Sequence, residues 1–387
     1  MTGQIHADSF ADQAARDPHT VFARMRERDP IQWHAPTASW YVTSYALVTD
    51  LLRERTLSAR LSGHAAARDV AASARLRRLV ELFDSWMVFS DPPHQTRLRD
   101  AVADGFLPRA ARAWAECARS VTEQALPTAD GDVVEVDRVS TVIATRLTCA
   151  VLGVPVRDEH LVRGWSADLI GFLATPSAEP ARTAVAAEAV EKLDEYWRTV
   201  VSPRLAEDDR LAPLRGMIGL DHHSALALFT QLLTGGIDPV ASTLTTAMHL
   251  LLGSDTEHGD VDAIVEEALR FDAPFHFVPR TATAELRIGG HTVPEGARVV
   301  LVIAAANRDP AVYEDPDAFR PGRPGPPHLA FGLGGHYCLG ASLARVLLRE
   351  SIGAVLRWSA GRRPRVVEAT RTPAFGATTW QRLAVWL

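Results

Sequence analysis

The stretch HLAFGLGGHYCLGASLAR, residues 328–345, constrains this chain more than any other. Gly332, Gly334 and Gly335 let the backbone come close to something large, because no Cβ stands in the way. Cys338 follows, and the helical pattern starting near Leu339 aims backbone N–H groups and a positive dipole end at its sulfur. Such a setting is expected to stabilise a thiolate, which serves either as a nucleophile or as a metal ligand. A nucleophile needs a base, and His336 is the local candidate. In an extended loop, however, residues i and i+2 point the same way without meeting. A ligand to a large planar cofactor accounts for the glycines, Phe331 and His336 together.

The other two cysteines, Cys117 and Cys149, lie in helical, largely apolar surroundings and read as small buried hydrophobes. Three widely spaced cysteines give neither a disulfide framework nor a zinc-ligand spacing, so a reducing cytoplasm is expected. A formal charge of -6 argues against a nucleic-acid surface. The longest apolar run, Val299 to Ala306, is far too short to span a bilayer, and residues 1–19 show no basic segment followed by an apolar stretch, so a soluble, unexported protein is expected.

Helical periodicity dominates residues 65–201, broken at Asp91-Pro92-Pro93, Pro127, Gly153-Val154-Pro155 and Pro176 to Pro180. A helix is also expected over 19–27, and β-structure at Trp40 to Thr43, over 286–303 and in the tail from Gly361. The apolar segment 224–252 predicts a long helix that Gly235, Gly236 and Pro239 should distort. Further helices are expected over 262–271 and from Cys338 to about Trp358, with a proline-rich loop over 309–327. The pattern predicts one domain over residues 1–387, mainly α with a small β region.

Phe331-x-x-Gly334-x-His336-x-Cys338-x-Gly340, continuing to Leu343-Ala344-Arg345, resembles the haem-binding loop of the cytochrome P450 superfamily. The resemblance implies haem b lying between the long central helix and the helix after the cysteine loop. It makes Cys338 the axial thiolate, a ligand that favours O–O cleavage. Phe331 packs beside the sulfur, His336 contacts a propionate, and Gly334, Gly340 and Ala344 complete the cradle. Arg280, in a Val-Pro-Arg-Thr-Ala run, is similar to a propionate-pairing arginine of the family. Residues 91–99 resemble the helix against the haem, with Gln95 where many members carry histidine and Arg99 on the same face; His94 is not the expected ligand. Glu267-Ala268-Leu269-Arg270 and Phe319-x-Pro321-x-Arg323 look like the parts of a structural triad, Glu267, Arg270 and Arg323.

Thr234-Gly235-Gly236-Ile237-Asp238-Pro239 is similar to the family's oxygen-binding groove, and here the chain departs from the pattern. An acid followed by threonine is usual; Asp238 is the acid, but Pro239 holds the alcohol position. Proline has no side-chain donor and no N–H. Gly235, Gly236, Asp238 and Pro239 are therefore the catalytic candidates, and protons are expected to arrive through Asp238 with water or a substrate hydroxyl. A non-hydroxylating outcome, such as oxidative coupling or cyclisation, is the second possibility. By analogy, Trp86, Met87, Phe89, Phe172, Phe275, His276, Phe277 and Phe375 line the substrate pocket, an aromatic set suited to a polycyclic or partly aromatic metabolite.

The resemblance implies a monomeric bacterial oxidoreductase that activates O2 with electrons from a ferredoxin and a ferredoxin reductase. Its substrate is a small specialised metabolite, free or bound to a carrier or peptide. The alternatives are a peroxide-driven peroxygenase and, from another class, a haem sensor or ligand carrier without turnover.

Overall fold

A computed structural model describes residues 10–60, 74–127, 133–174, 180–252, 259–362, 364–374 and 376–386. At its centre runs the helix His222–Leu252, 31 residues and about 46 Å long. Asp221 starts it by accepting the Ser224 N–H at 3.0 Å, satisfying one of the donors a helix N-terminus leaves open. The helix runs unbroken through Pro239. The carbonyl that Pro239 fails to serve, four residues back, belongs to Gly235, an exposed position where nothing lies within 4 Å of a built Cβ.

Helix Val136–Leu152 packs along the central helix, and Gly236 is what allows the approach: a Cβ there would lie 2.7 Å from the Thr148 methyl. The same helix ends at Gly153, whose φ of +74 provides a left-handed cap, with the Val154 N–H returned to the Cys149 carbonyl at 2.8 Å. Cys149 is fully buried, as expected, and burial pushes its thiol up to about 12. Cys117 is half-buried and its thiol is also raised by burial.

Beside this helical body lies a five-stranded sheet, in the order β1 (Ile31–His34), β2 (Ser39–Val42), β8 (Arg298–Leu301), β5 (Val278–Ala282) and β3 (Leu57–Ser58). The β2 and β8 strands are parallel, with Tyr41 opposite Val300; β5 is antiparallel to β8 and sets Arg280 opposite Val299. A second sheet joins β4 (Val133–Glu135), β10 (Trp380–Trp386) and β9 (Arg365–Arg371), and β6 (Leu286–Ile288) pairs with β7 (His291–Val293). The helices expected over 19–27 and 262–271 are present as Pro18–Arg28 and Val261–Phe271, and the one after Cys338 as Ala341–Ser359. The proline cluster at 176–180 falls mostly outside the described residues.

Candidate haem-thiolate site

Cys338 is held by its own loop. Its N–H donates to the Phe331 carbonyl at 2.8 Å, and the Gly332 N–H donates to the Leu329 carbonyl at 2.8 Å. Gly332 and Gly334 have φ of +65 and +68, and a Cβ on Gly334 would sit 3.0 Å from the Leu52 carbonyl oxygen. Only glycine closes this turn without strain. Arg345 lies over the Phe331 ring at 4.6 Å, and its guanidinium pairs with Glu266 at 2.6 Å.

Burial raises the Cys338 thiol, while the Gly340 N–H, Arg99 and Arg345 pull it down without reversing the shift. The backbone N–H and the arginines expected to favour a thiolate are present and oppose the cost of desolvation. Ionising such a thiol takes a cation at the sulfur, which suits a metal ligand better than a nucleophile. His336 makes no hydrogen bond to it.

The loop is bordered by positive groups. Arg280 is 6% exposed, and among the described residues the one hydrogen bond of its guanidinium goes to the Pro279 carbonyl at 2.8 Å. Burial lowers its pKa to about 10, with Asp91 the only opposing charge, and Asp91 already accepts from Ser58 and the Ala59 N–H. His336 is kept neutral, lowered to about 4 by burial first and then by Arg280. Helix His94–Asp100 grips the loop: Gln95 donates to the Gly335 carbonyl and Arg99 to the Tyr337 carbonyl, both at 2.8 Å. His94, set aside on sequence grounds, carries a buried Nε2 without a partner among the described residues. A buried guanidinium without a carboxylate partner among the described residues, near the His336 imidazole and Arg99, fits a ligand that brings anions, as the haem propionates would.

The central helix is buried on most of its surface but opens at mid-length along Gln231, Gly235, Asp238 and Ser242, spaced i, i+4, i+7 and i+11 on one face. Nothing lies within 4 Å of a Cβ built on Gly235. Asp238 is exposed, yet surrounding protein raises its carboxyl, partly offset by Arg163, as expected of a group facing an interior space. Hydroxyls near Pro239 are already committed. Thr243 donates to the Pro239 carbonyl at 2.8 Å, Ser242 to the Thr378 carbonyl at 2.8 Å, and Thr234 to the Thr230 carbonyl at 2.9 Å.

The Glu267, Arg270 and Arg323 side chains meet as expected. Arg270 donates to both carboxylate oxygens at 2.7 and 2.9 Å, Arg323 Nε at 3.0 Å, and the Arg320 N–H closes the set at 2.7 Å.

Several proposed pocket residues face elsewhere. Phe172 stacks on Phe83 in the core, and Trp86 is 3% exposed, its indole donating to Thr230. Phe89, half-buried, stacks on Trp86, whereas buried Met87 stays against the central helix, its N–H donating to Gln231 Oε1 at 2.6 Å. His276 is also corrected: it donates to Thr378, which donates to Asp272, and it borders a separate cleft of about 390 Å³ with His19 and Arg371. Phe275, 46% exposed, and Phe277, half-buried, flank it on the strand-like path. Phe375 lies outside the described residues. Sequence reasoning missed Gln231 and Asp272. The only signal was a polar residue one turn before Gly235 and an acid directly after the Val261–Phe271 helix.

A thiol-bearing glycine loop, a buried arginine with no described carboxylate partner and a central helix open at mid-length fit a haem-thiolate architecture. The Cytochrome P450 family profile matches residues 261–358. The chain is 30% identical to the vitamin D(3) 25-hydroxylase of Pseudonocardia autotrophica, over 91% of this chain and 89% of that protein. It belongs to the cytochrome P450 family and is an oxidoreductase of the monooxygenase class. In structure it resembles P450BioI in complex with hexadec-9Z-enoic acid ligated acyl carrier protein, with TM-score 0.86, 23% identity and coverage of 97% and 99%; this likeness bears on fold alone. The tirandamycin C-bound monooxygenase TamI is similar with TM-score 0.81, 28% identity and coverage of 97% and 98%. No helix among the described residues is long and apolar enough to cross a membrane.

Proposed function

We propose that this protein uses a Cys338-ligated haem to oxidise a small specialised metabolite that itself supplies a hydroxyl or ordered water for proton delivery. When bound, the haem supplies O2 activation, made more reactive by thiolate donation. Arg280, His336, Arg99 and Gln95 would hold its propionates, and Phe331 with Gly340 would flank the sulfur. Asp238 stands on the open face of the central helix, where burial raises its carboxyl against the opposing pull of Arg163, and it would pass protons toward the bound ligand.

The observation that carries the proton argument is that Thr234, Ser242 and Thr243 each donate to a carbonyl, while Pro239 offers no donor. An alcohol from the ligand fills that gap with the fewest added parts. Electrons come from a separate ferredoxin and its reductase. The substrate arrives free or tethered to a carrier or peptide. Oxidative coupling remains the second reading of Pro239, and hydrogen peroxide in place of O2 the third.

The first test is spectroscopic. The ferrous–CO complex should show the red-shifted Soret band of thiolate ligation, and Cys338→Ser should lose it. In a second test, Pro239→Thr should improve the yield of product per NADPH with surrogate redox partners. Unchanged coupling would remove proton delivery from the account.

A further inference from the structure

We propose that Gln231 is a specificity-determining residue whose side-chain N–H2 binds an oxygen acceptor on the substrate. It rests on the haem-thiolate reading, because it places the ligand above the cysteine loop.

Gln231 lies in the first half of the central helix, one turn before Gly235. Its Oε1 accepts the Met87 backbone N–H at 2.6 Å. A backbone N–H can only donate, so this bond fixes which way the carboxamide faces and leaves Nε2 directed elsewhere. Nε2 has no hydrogen-bond partner among the described residues, and it is not among their buried, unpartnered atoms. It is an accessible donor on the open stripe, about 6 Å along the helix axis from Gly235.

The donor is also preorganised. Trp86, the residue before Met87, donates its indole N–H to Thr230 at 3.0 Å, so two successive helix residues tie down two successive loop residues. A donor already held in place gains affinity because little freedom is left to lose. Buried Met87 adjoins it through that hydrogen bond, half-buried Leu232 follows it in the helix, and Gly235 opens one turn beyond. The ligand class this selects is a largely apolar molecule bearing a carbonyl, ester or ether oxygen, in preference to a plain hydrocarbon or an unsubstituted acyl tail.

The rival is that Gln231 only ties the loop. The two roles separate by substitution: at pH 8 Gln231→Glu keeps an oxygen for the Met87 N–H and removes the donor, whereas Gln231→Leu removes both. The probes are 1-phenylimidazole and its 3-acetyl and 4-acetyl derivatives, titrated into the haem-loaded protein by their Soret shift. At least one acetyl compound should bind the natural protein about fivefold tighter than the parent, the value of one neutral hydrogen bond. Both variants should lose that gain. Retention of it in Gln231→Glu would reduce the residue to a tie, and absence of any gain in the natural protein would overturn the proposal. A protein that gives no Soret shift even with 1-phenylimidazole would instead fail the haem reading beneath it.

Discussion

Replacing Glu267 by glutamine tests the buried ionic triad with almost no change of shape. The carboxylate accepts from Arg270 Nε and Nη2, from Arg323 Nε and from the Arg320 N–H, between 2.7 and 3.0 Å. Glu267 and Arg270 are each 3% exposed. Glutamine keeps one acceptor oxygen but turns an N–H2 toward guanidinium donors, leaving two buried cations without an anion. Removing one partner of such a group costs about 3–5 kcal/mol. Unfolding entropy of about 2.1 cal/mol/K per residue then converts that cost, over 387 residues, into a fall in Tm of about 4–6 °C. Arg357→Ala serves as control, since its pair with Glu123 at 3.4 Å joins side chains 58% and 54% exposed. Exposed pairs contribute about 0–1 kcal/mol, so its Tm should move by about 1 °C or less. Thermal unfolding of both variants, followed by circular dichroism on equally haem-loaded protein, gives the comparison. A shift for Glu267→Gln no larger than that of Arg357→Ala would refute the reasoning.

Gly236→Ala should cost about 1–3 kcal/mol in urea unfolding, because its Cβ would meet Thr148 at 2.7 Å, while Gly235→Ala should leave stability unchanged and weaken azole binding at the open face. His276 is buried and its pKa is lowered to about 3 by desolvation, so the unfolded chain binds a proton that the native one refuses below pH 6.5. Stability is therefore lost as pH falls from 6.5 toward 3, by up to about 1.4 kcal/mol per unit, and His276→Gln should flatten that slope between pH 6.5 and 4.5. Arg280→Leu should act with opposite signs in two assays: the haem-free protein gains about 1–4 kcal/mol of stability by losing an unpaired buried cation, and haem transfers faster to apomyoglobin. Movement of both in the same direction would show that Arg280 is paired by something other than haem.

The parts of the molecule legible in the sequence are those whose partners lie close along the chain. Gly332 and Gly334 mark a turn that needs positive φ, and Gly153 marks a helix end, because only local backbone geometry is at stake. The Glu267–Arg270 pair is local as well, whereas the Arg323 contact comes from 56 residues away and was readable only as part of a known pattern. Trp86, Phe172 and His276 mislead for the opposite reason: an aromatic looks the same in sequence whether it faces a ligand or the core, and here Thr230, Phe83 and Thr378 decide. Asp272 shows the same limit. Its carboxylate gathers His19, Thr246, Thr378 and Arg371 from four separate segments, and those partners hold it far below the ordinary carboxylate range.

Gln231 follows the same logic into function. Its meaning depends on a backbone N–H 144 residues away, which takes up the oxygen of the carboxamide and so exposes its nitrogen. Pro239 works by subtraction, since a missing hydroxyl matters only once Thr234, Ser242 and Thr243 are seen to be occupied. The haem-facing half of the site is thus written in local motifs, while the substrate-facing half is set by which polar atoms the folded neighbours leave unpaired. Relatives that share the cysteine loop can therefore differ in substrate without differing in any motif, and the atoms to compare among them are those at the positions of Gln231, Gly235 and Asp238.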